Sequence, residues 1–387
     1  MRLHYFDNGK ALASVLGFFY HVGLVFSIPW VINADPEDFN NNIHLFTQFL
    51  SLFRMPLFMF IAGYFAIYSV KKYNFSSFAK NKLLRLGVPL LSALYILVFI
   101  QYIYGDMLFK GSSTLMDVVY KVIPWSDTFT LAHLWFLYLV IIYSFLLYFI
   151  AKLIRKHNKY IMNIKEKLVN TKSSTSDILF IFLIFSSSLF FIAISKFSPI
   201  NHALLPFSDF GSFLSYFIIG VFTYIFWDKY SKLFFNFTRN RAILSLIIII
   251  LAFIPLYLTS SSENLIIMVL RQLFTSIAKY YSLLLAMYIL YKFFNKTNKL
   301  LKYLADSSYS IYLLHQPVIV VVSYYYLKYT DTSSYISYLC ILIASICVTY
   351  LIDFLFIKKM KLGKFLFTGA RAKRIPHSTK NEERYII

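Results

Sequence analysis

The sequence predicts an all-α membrane protein that crosses the bilayer many times. Of its 387 residues, 59% are hydrophobic and only 14% are charged, which is far from the composition of soluble domains. Apolar stretches recur along the chain, and stretches of about 20 such residues are long enough to cross a bilayer as helices. Lys and Arg are divided unequally between the two sets of connecting segments. These three observations predict a polytopic bundle of about ten transmembrane helices.

The predicted spans are the apolar stretches taken in chain order. They cover residues 11–32, 44–70, 87–105, 133–154, 177–198, 211–228, 242–260, 264–291, 305–327 and 335–357. Residues 1–357 are therefore predicted to form one transmembrane domain, followed by a basic cytoplasmic tail over residues 358–387.

The positions of the basic residues predict the orientation. One set of segments, which includes both termini, contains 31 of the 38 Lys and Arg residues. The other set contains Lys110, Lys121, Lys196 and Lys328. Cytoplasmic segments of membrane proteins have such an excess, so both termini are predicted to be cytoplasmic.

Composition also bears on possible partners and metals. The net charge of +21 would suggest nucleic acid in a soluble protein, but the orientation rule accounts for it here, and nucleic acid is not an expected partner. Cys340 and Cys347 lie seven residues apart in one apolar segment. That spacing gives neither a disulfide framework nor a metal site.

The first predicted span contains one ionisable side chain, His21. Lys10 precedes it by eleven residues, which places both on one helix face, roughly 16 Å apart along the axis. An ionisable residue inside the membrane indicates a functional site. The alternative is a structural histidine that is hydrogen-bonded to a neighbouring helix.

Two further polar residues fall at similar depth in other spans. Arg54 lies roughly 15 Å from the outer end of the second span, where it must face a partner, water or a ligand. A site role and a structural ion pair are both open for Arg54. His315 lies near the middle of the ninth span, where it is either a structural histidine or a substrate-binding residue of the site. Pro56 and Pro317 are predicted to kink or bend these two helices.

The stretch 75–86 interleaves apolar residues with Lys80, Lys82 and Arg85. It is predicted to be a short interfacial helix that ends where the third span begins. Its basic face would meet either anionic lipid or the phosphates of a ligand.

The outer side contains the remaining candidates. His133 and Trp135, at the start of the fourth span, are expected either to anchor the chain at the interface or to form the rim of a sugar site. Glu263 and Arg271, near the start of the eighth span, are expected to pair with each other or to bind an acceptor. The long segment 106–132 is expected to re-enter the membrane or to cover a cavity.

These residue types suit acyl transfer. A neutral histidine is the usual general base for a hydroxyl near pH 7, and Arg54 would stabilise the oxygen of a collapsing thioester. Lys10, Lys82 and Arg85 lie on the predicted cytoplasmic side, where they would bind the phosphates of a coenzyme A donor. The residues alone equally permit a proton-coupled transporter.

Several segments, in order, resemble the motifs of the acyltransferase-3 membrane family, and the resemblance covers nearly the whole chain. They are Lys10-x10-His21, Ser51-Leu-Phe-Arg-Met-Pro-Leu-Phe-Met-Phe-Ile-Ala-Gly-Tyr-Phe65, Lys82-Leu-Leu-Arg-Leu-Gly-Val-Pro89, His133-Leu-Trp-Phe-Leu137 and Ser308-Tyr-Ser-Ile-Tyr-Leu-Leu-His-Gln-Pro317. The opening Tyr5-Phe-Asp7 and the ending Lys364-Phe-Leu-Phe-Thr-Gly369 are similar to one branch of that family.

The resemblance implies a ten-helix enzyme of the bacterial inner membrane that transfers an acyl group from cytoplasmic acyl-CoA, with no permanently bound cofactor and no metal. In the similar branch the donor is succinyl-CoA and the acceptor is an osmoregulated periplasmic glucan. By motif position, His21 corresponds to the essential histidine of the family and Lys10 to its basic partner, where Arg is commoner. Three alternative functions stay open. They are an acetyltransferase for another surface polysaccharide or lipid, a glycan exporter or flippase without acyl-transfer chemistry, and a membrane scaffold.

Overall fold

The computed structural model describes residues 4–155, 171–197, 207–235, 237–259, 262–296 and 298–370, which fold into helices without a strand. The helices are α1 His4–Val25, α2 Asn41–Ser51, α3 Arg54–Lys72, α4 Phe75–Phe109, α5 Leu115–Tyr120, α6 Trp135–Arg155, α7 Ser173–Phe197, α8 Phe207–Ile225, α9 Trp227–Phe234, α10 Arg239–Leu258, α11 Leu265–Phe293, α12 Lys299–Tyr329, α13 Ser334–Lys358 and α14 Lys361–Thr368.

The predicted class, an all-α polytopic membrane protein, is confirmed. A helix lies at each of the ten predicted positions, and eight helical segments in the described residues are long and apolar enough to cross a membrane. α1 and α8 are not among those eight. The count of ten spans and the cytoplasmic termini therefore stay predictions. The basic stretches 156–170 and 371–387, which contribute to the predicted orientation, lie outside the described residues.

Two predicted boundaries are wrong, and proline explains the first. α1 covers His4–Val25 rather than residues 11–32. Pro29 disfavours helix at the residue before it and has no N–H to donate to the Val25 carbonyl. The predicted interfacial helix over residues 75–86 is not separate, since it continues into the third span as α4. α4 has a π-helical turn at Leu83–Gly87, a local adjustment of the kind that lets a membrane helix contain a proline such as Pro89.

α1 is held at the centre of the fold by α12. The Ser14 hydroxyl donates a hydrogen bond to the Ser308 carbonyl at 3.0 Å. Phe18 and Val22 of α1 belong to one buried apolar cluster together with Ile319 of α12. α1 therefore presents its remaining face, which contains His21, to the interior between α12 and α3.

α3 is fixed by a close approach to α8. An ideal Cβ at Gly63 would lie 2.8 Å from the backbone carbon of Phe217, and one at Gly220 would lie 2.9 Å from that of Phe60. Distances below 3.0 Å to backbone atoms leave no room for a side chain at either position. The two glycines thus set the distance between α3 and α8, as small residues do in membrane helix packing.

The kink predicted at Pro56 takes the form of a two-residue interruption, at Leu52 and Phe53, within the apolar helical segment Asn41–Lys72. α2 ends at Ser51 and α3 begins at Arg54, which makes Pro56 the third residue of α3. The first turn of a helix does not need its N–H groups for internal bonds. In a continuous helix the Pro56 ring would collide with the Leu52 carbonyl, which explains the position of the break.

Candidate active site

A cavity of about 530 Å³ lies between α1, α3, α11 and α12. Its lining contains three histidines and two cationic side chains, and no acidic residue among those that the structure describes. The polar and aromatic residues of the wall are Ser14, Tyr20, His21, Trp30, Ser51, Arg54, Phe58, Tyr102, His133, Trp135, Phe213, Lys279, Tyr312, His315 and Gln316. The positive charge of Arg54 in this wall favours a ligand that is negative or becomes negative.

His21 lies in this cavity between two other rings. Its imidazole stacks on the Trp30 indole with 5.5 Å between ring centroids. The His315 imidazole is 5.0 Å away on the same measure. The Nδ1 atom of His21 is buried and has no hydrogen-bond partner in the part of the chain that the structure describes. Nothing in these contacts fixes which ring nitrogen of His21 holds the proton.

Arg54 is 7% exposed and lies at the start of α3. Its guanidinium carbon is 4.1 Å from the centroid of the Tyr20 ring, a cation–π contact. None of the ion pairs between described residues involves Arg54, and its Nε has no hydrogen-bond partner among them. A buried guanidinium without a carboxylate is costly. The contact with the Tyr20 ring offsets only part of this cost, so the charge of Arg54 can still interact with a bound ligand.

Gly17 brings Arg54 and His315 to the same point on α1, one turn before His21. An ideal Cβ at Gly17 would lie 3.3 Å from Nη1 of Arg54 and 3.3 Å from Nε2 of His315. Such distances are tighter than nine in ten real Cβ contacts. The missing side chain therefore permits the two nitrogens to converge beside α1.

The protonation of His315 follows from its neighbours. Its Nδ1 lies 2.7 Å from the Tyr312 carbonyl oxygen and 3.1 Å from that of Ile311. A carbonyl can only accept, so Nδ1–H donates to these oxygens. In the neutral ring Nε2 then holds the lone pair, and Nε2 is the atom that points towards Gly17.

His133 is protonated on Nε2, whereas His315 is protonated on Nδ1, and Pro317 explains the difference. Pro317 lies inside α12 and has no N–H for the carbonyl of Leu313, four residues earlier. Nε2–H of His133 donates to that carbonyl at 2.9 Å. The Tyr312 hydroxyl donates to the carbonyl of His133. His133 is therefore buried between α6 and α12 rather than exposed at the membrane interface.

Ala132, which precedes His133, is the one described non-glycine residue with a positive φ, at 45°. An L-residue in this conformation costs roughly 1–2 kcal/mol. Such strain is found where the surrounding structure holds a functional residue in place. Trp135, three residues later, stacks on Phe213 with 5.0 Å between centroids, and both rings line the cavity.

Lys10 lies on the same face of α1 as His21 but outside the cavity. It forms an ion pair with Asp7 at 2.9 Å, and its ammonium lies 5.2 Å from the centroid of the Phe65 ring. The small residues Ala13, Ser14 and Gly17 line the cavity between Lys10 and His21. This face of α1 therefore leads from a basic side chain to the imidazole.

The other predicted basic residues lie on α4, away from the cavity wall. Arg85 is exposed and Lys82 is half-buried. The Tyr309 hydroxyl donates to the Arg85 carbonyl at 2.9 Å, which connects α4 to α12. The Lys82 ammonium lies 5.7 Å from the centroid of the Phe78 ring.

Glu263 and Arg271 are not part of the cavity lining. Glu263 is exposed just before α11. Nη1 of Arg271 donates to the Thr259 carbonyl at 3.0 Å, which connects α11 to the end of α10.

The predicted long outer segment, residues 106–132, ends at the cavity, where Ala132 is part of the lining. Asp106 forms ion pairs with Lys110 at 3.3 Å and with Lys121. The Lys110 ammonium donates to the Trp30 carbonyl at 2.7 Å. These contacts tie the segment to the loop that places Trp30 on His21.

Sequence reasoning did not select Lys279, Tyr20 or Trp30 as site residues. Lys279 is a cation within an apolar span, so the criterion that singled out Arg54 also applies to it. Its ammonium lies 5.6 Å from the centroid of the Phe213 ring. Tyr20 and Trp30 carry no comparable signal, since aromatic residues make up 20% of the chain.

Comparison with known proteins identifies the class. Residues 3–354 match the sequence model of a family described as an acyltransferase domain. Glucans biosynthesis protein C of Escherichia coli O81 (strain ED1a) is 26% identical over 391 residues, which cover 95% of this chain and 94% of that protein. The protein of the same name from Escherichia coli O139:H28 (strain E24377A / ETEC) is 25% identical over the same shares. No solved structure matches the chain.

Proposed function

The chain belongs to the acyltransferase family that it matches over residues 3–354 and is an acyltransferase, and we propose that it moves an acyl group from a cytoplasmic acyl-CoA to a hydroxyl of a periplasmic glucan. The proposed acyl group is succinyl, the donor is succinyl-CoA and the location is the bacterial inner membrane. The observation that carries the proposal is the convergence of His21, Arg54 and His315 on a buried cavity without an acidic residue among its described lining residues.

In the proposed reaction the acceptor oxygen attacks the thioester carbonyl carbon. A C–O bond forms, the C–S bond breaks, and its electron pair leaves on the coenzyme A sulfur. Arg54 stabilises the negative charge that develops on the carbonyl oxygen, because a preformed, buried cation needs little reorganisation. His21 either accepts the proton of the acceptor hydroxyl or is itself transiently acylated.

The donor is proposed to reach His21 along α1. Lys10, Lys82 and Arg85 would bind its phosphates outside the cavity, because ammonium and guanidinium groups both recognise phosphate. Ala13, Ser14 and Gly17 would let the narrow thioester end pass to the imidazole. A lysine at position 10 binds a phosphate as a point charge and lacks the bidentate geometry of arginine.

The glucan acceptor is proposed from the relatives, whose printed name concerns glucan biosynthesis. His133 and Trp135 line the same cavity as His21. They would contact the acceptor sugar there, since a flat indole offers a surface for stacking. Glu263 and Arg271 lie away from this wall, so they have no part in the proposed transfer.

The test compares periplasmic glucans by mass spectrometry in cells without the gene, with the intact gene and with His21→Ala. A mass increment that appears only with the intact protein is the expected result, and the increment identifies the acyl group. His44→Ala is the matched control, because His44 lies on α2, bonds Gln48 at 2.6 Å and is not part of the cavity lining. The control should behave as the intact protein.

Other outcomes separate the rival readings. Identical glucans in all strains would remove the glucan acceptor, and another surface polysaccharide or lipid would be analysed next. Purified protein that releases no thiol from succinyl-CoA or acetyl-CoA, with any acceptor, would favour an exporter or scaffold. A His21→Ala variant that is present in the membrane at normal amounts and acylates normally would remove the proposed mechanism.

A further inference from the structure

We infer that His315 is a second catalytic residue, whose Nε2 accepts the proton of the attacking hydroxyl. The inference rests on the proposed acyl transfer and assigns a role within it that the family match does not supply. In this proposal two imidazoles on different helices, His21 on α1 and His315 on α12, take part in the transfer.

The first support is the defined protonation of His315. Its Nδ1–H donates to the carbonyls of Tyr312 and Ile311 at 2.7 and 3.1 Å. In the neutral ring Nε2 is therefore an acceptor, as a general base requires. His21 has no described hydrogen bond that selects a tautomer, since its Nδ1 is buried without a partner.

The second support is the position of Nε2 beside the cation. Nε2 of His315 and Nη1 of Arg54 both lie 3.3 Å from the ideal Cβ position of Gly17. A thioester oxygen held by Arg54 would therefore place the attacking hydroxyl close to Nε2. The proton acquired by His315 is then balanced by the negative charge that develops beside Arg54.

The third support is that His133 cannot take this role. Its Nε2–H is used by the Leu313 carbonyl at 2.9 Å. Its other nitrogen, Nδ1, is buried with no partner among the described residues. The lone pair of His133 is thus out of reach of a ligand in the cavity.

The proposed step is balanced in protons and electrons. The hydroxyl proton moves to Nε2 of His315 as the C–O bond forms and the C–S bond breaks. The thiolate takes that proton from His315, or from water, and leaves as coenzyme A. His21 lies 5.0 Å from His315 between ring centroids and contacts the acyl group in this step. If His21 is acylated first, coenzyme A has already left, the C–N bond to His21 breaks in place of the C–S bond, and the proton passes from His315 to the ring of His21.

The test uses His315→Asn in the purified, full-length protein. The Asn amide lies near the place of Nδ1, so it can still donate to the Tyr312 carbonyl, but it has no base at the place of Nε2. The donor probes are succinyl-CoA and acetyl-CoA. The acceptor probes are a glucose oligosaccharide, whose hydroxyl needs a base, and hydroxylamine, which attacks a thioester as a neutral nucleophile. Thiol release is measured, and the rate without enzyme is subtracted.

For a general base, the oligosaccharide rate should fall about 10²–10⁴-fold in His315→Asn, and the hydroxylamine rate less than about tenfold. His44→Asn should retain both rates. Equal losses with both acceptors would overturn the inference, because they would show a structural role. An unchanged oligosaccharide rate would also overturn it. A wild-type protein that releases no thiol with either acceptor would instead remove the proposed function itself, and this result is distinct from the other two.

Discussion

Two prolines lie in helices that reach the cavity, and the chain responds to them differently. At Pro56 the helix is interrupted, since α2 ends at Ser51 and α3 begins at Arg54. At Pro317 the helix continues without interruption from Lys299 to Tyr329. Proline removes one backbone donor at both places. The difference therefore lies in what the neighbouring structure supplies.

In α12 the missing donor is supplied by His133, which lies just before α6. The Leu313 carbonyl accepts from Nε2 of His133 at 2.9 Å, and such substitution is what allows proline inside membrane helices. At Pro56 the helix instead restarts, and this makes Arg54 its first residue. A proline in a span can thus fix a histidine through an unpaired carbonyl, or place an arginine at a new helix start.

Among changes at the two prolines and at the residues that they place, replacement of Arg54 should have the largest effect, because Arg54 is the cation that the interruption at Pro56 places in the cavity. Arg54→Gln keeps a polar side chain and removes the charge. The transfer rate should fall by about 10²–10³, the usual loss when one group that stabilises an oxyanion is removed. The measurement is thiol release by purified protein at saturating succinyl-CoA. A rate within twofold of wild type would show that the charge of Arg54 is not used.

A methyl group at Gly17 should have an intermediate effect, because it separates the groups that the two prolines help to place. Gly17→Ala puts Cβ 3.3 Å from both Nη1 of Arg54 and Nε2 of His315. We expect displacements of a few tenths of an ångström and a rate loss of about tenfold, since misplacement by 1 Å can cost about a hundredfold. Gly87→Ala is the control, because its Cβ would meet only the Leu83 side chain at 3.6 Å. Equal rates for the two variants would contradict the convergence.

Pro317→Ala should have the smallest effect on the rate, which should fall, whereas the stability of the protein should rise. The new N–H competes with His133 for the Leu313 carbonyl, so we expect a several-fold slower transfer. The restored helix bond should raise the midpoint of thermal unfolding in detergent. Pro255, inside α10, is the matched control, and Pro255→Ala should gain stability at a normal rate. A normal rate in Pro317→Ala would show that the bond to His133 has no role in catalysis.

Some of the site was accessible from the sequence because ionisable residues stand out in apolar spans. His21, Arg54 and His315 were selected for that reason, and the structure places all three in one cavity. Their grouping could not be derived, because it depends on how α1, α3 and α12 pack. Arg271 met the same criterion and lies elsewhere, since depth in the membrane does not reveal which way a helix face points.

Other features lay beyond sequence reasoning for local physical reasons. Many residues resemble Trp30 in a chain with 20% aromatic content, so its stacking on His21 had no distinct pattern. The role of Gly17 depends on side chains from two other helices. The end of α1 at Val25 was accessible from Pro29, whereas the continuity of α4 past Gly87 depends on a π-helical turn.

The volume of the cavity limits what can be inside it at one time. About 530 Å³ falls in the range of pockets that enclose one drug-sized ligand, about 300–1,000 Å³. A whole coenzyme A together with a stretch of polysaccharide would exceed it. Each substrate would therefore insert only its reacting end, while most of both molecules stays outside the protein. Which sugar units of a polymer become modified would then depend on how far each unit projects, and much less on the sequence of units around it.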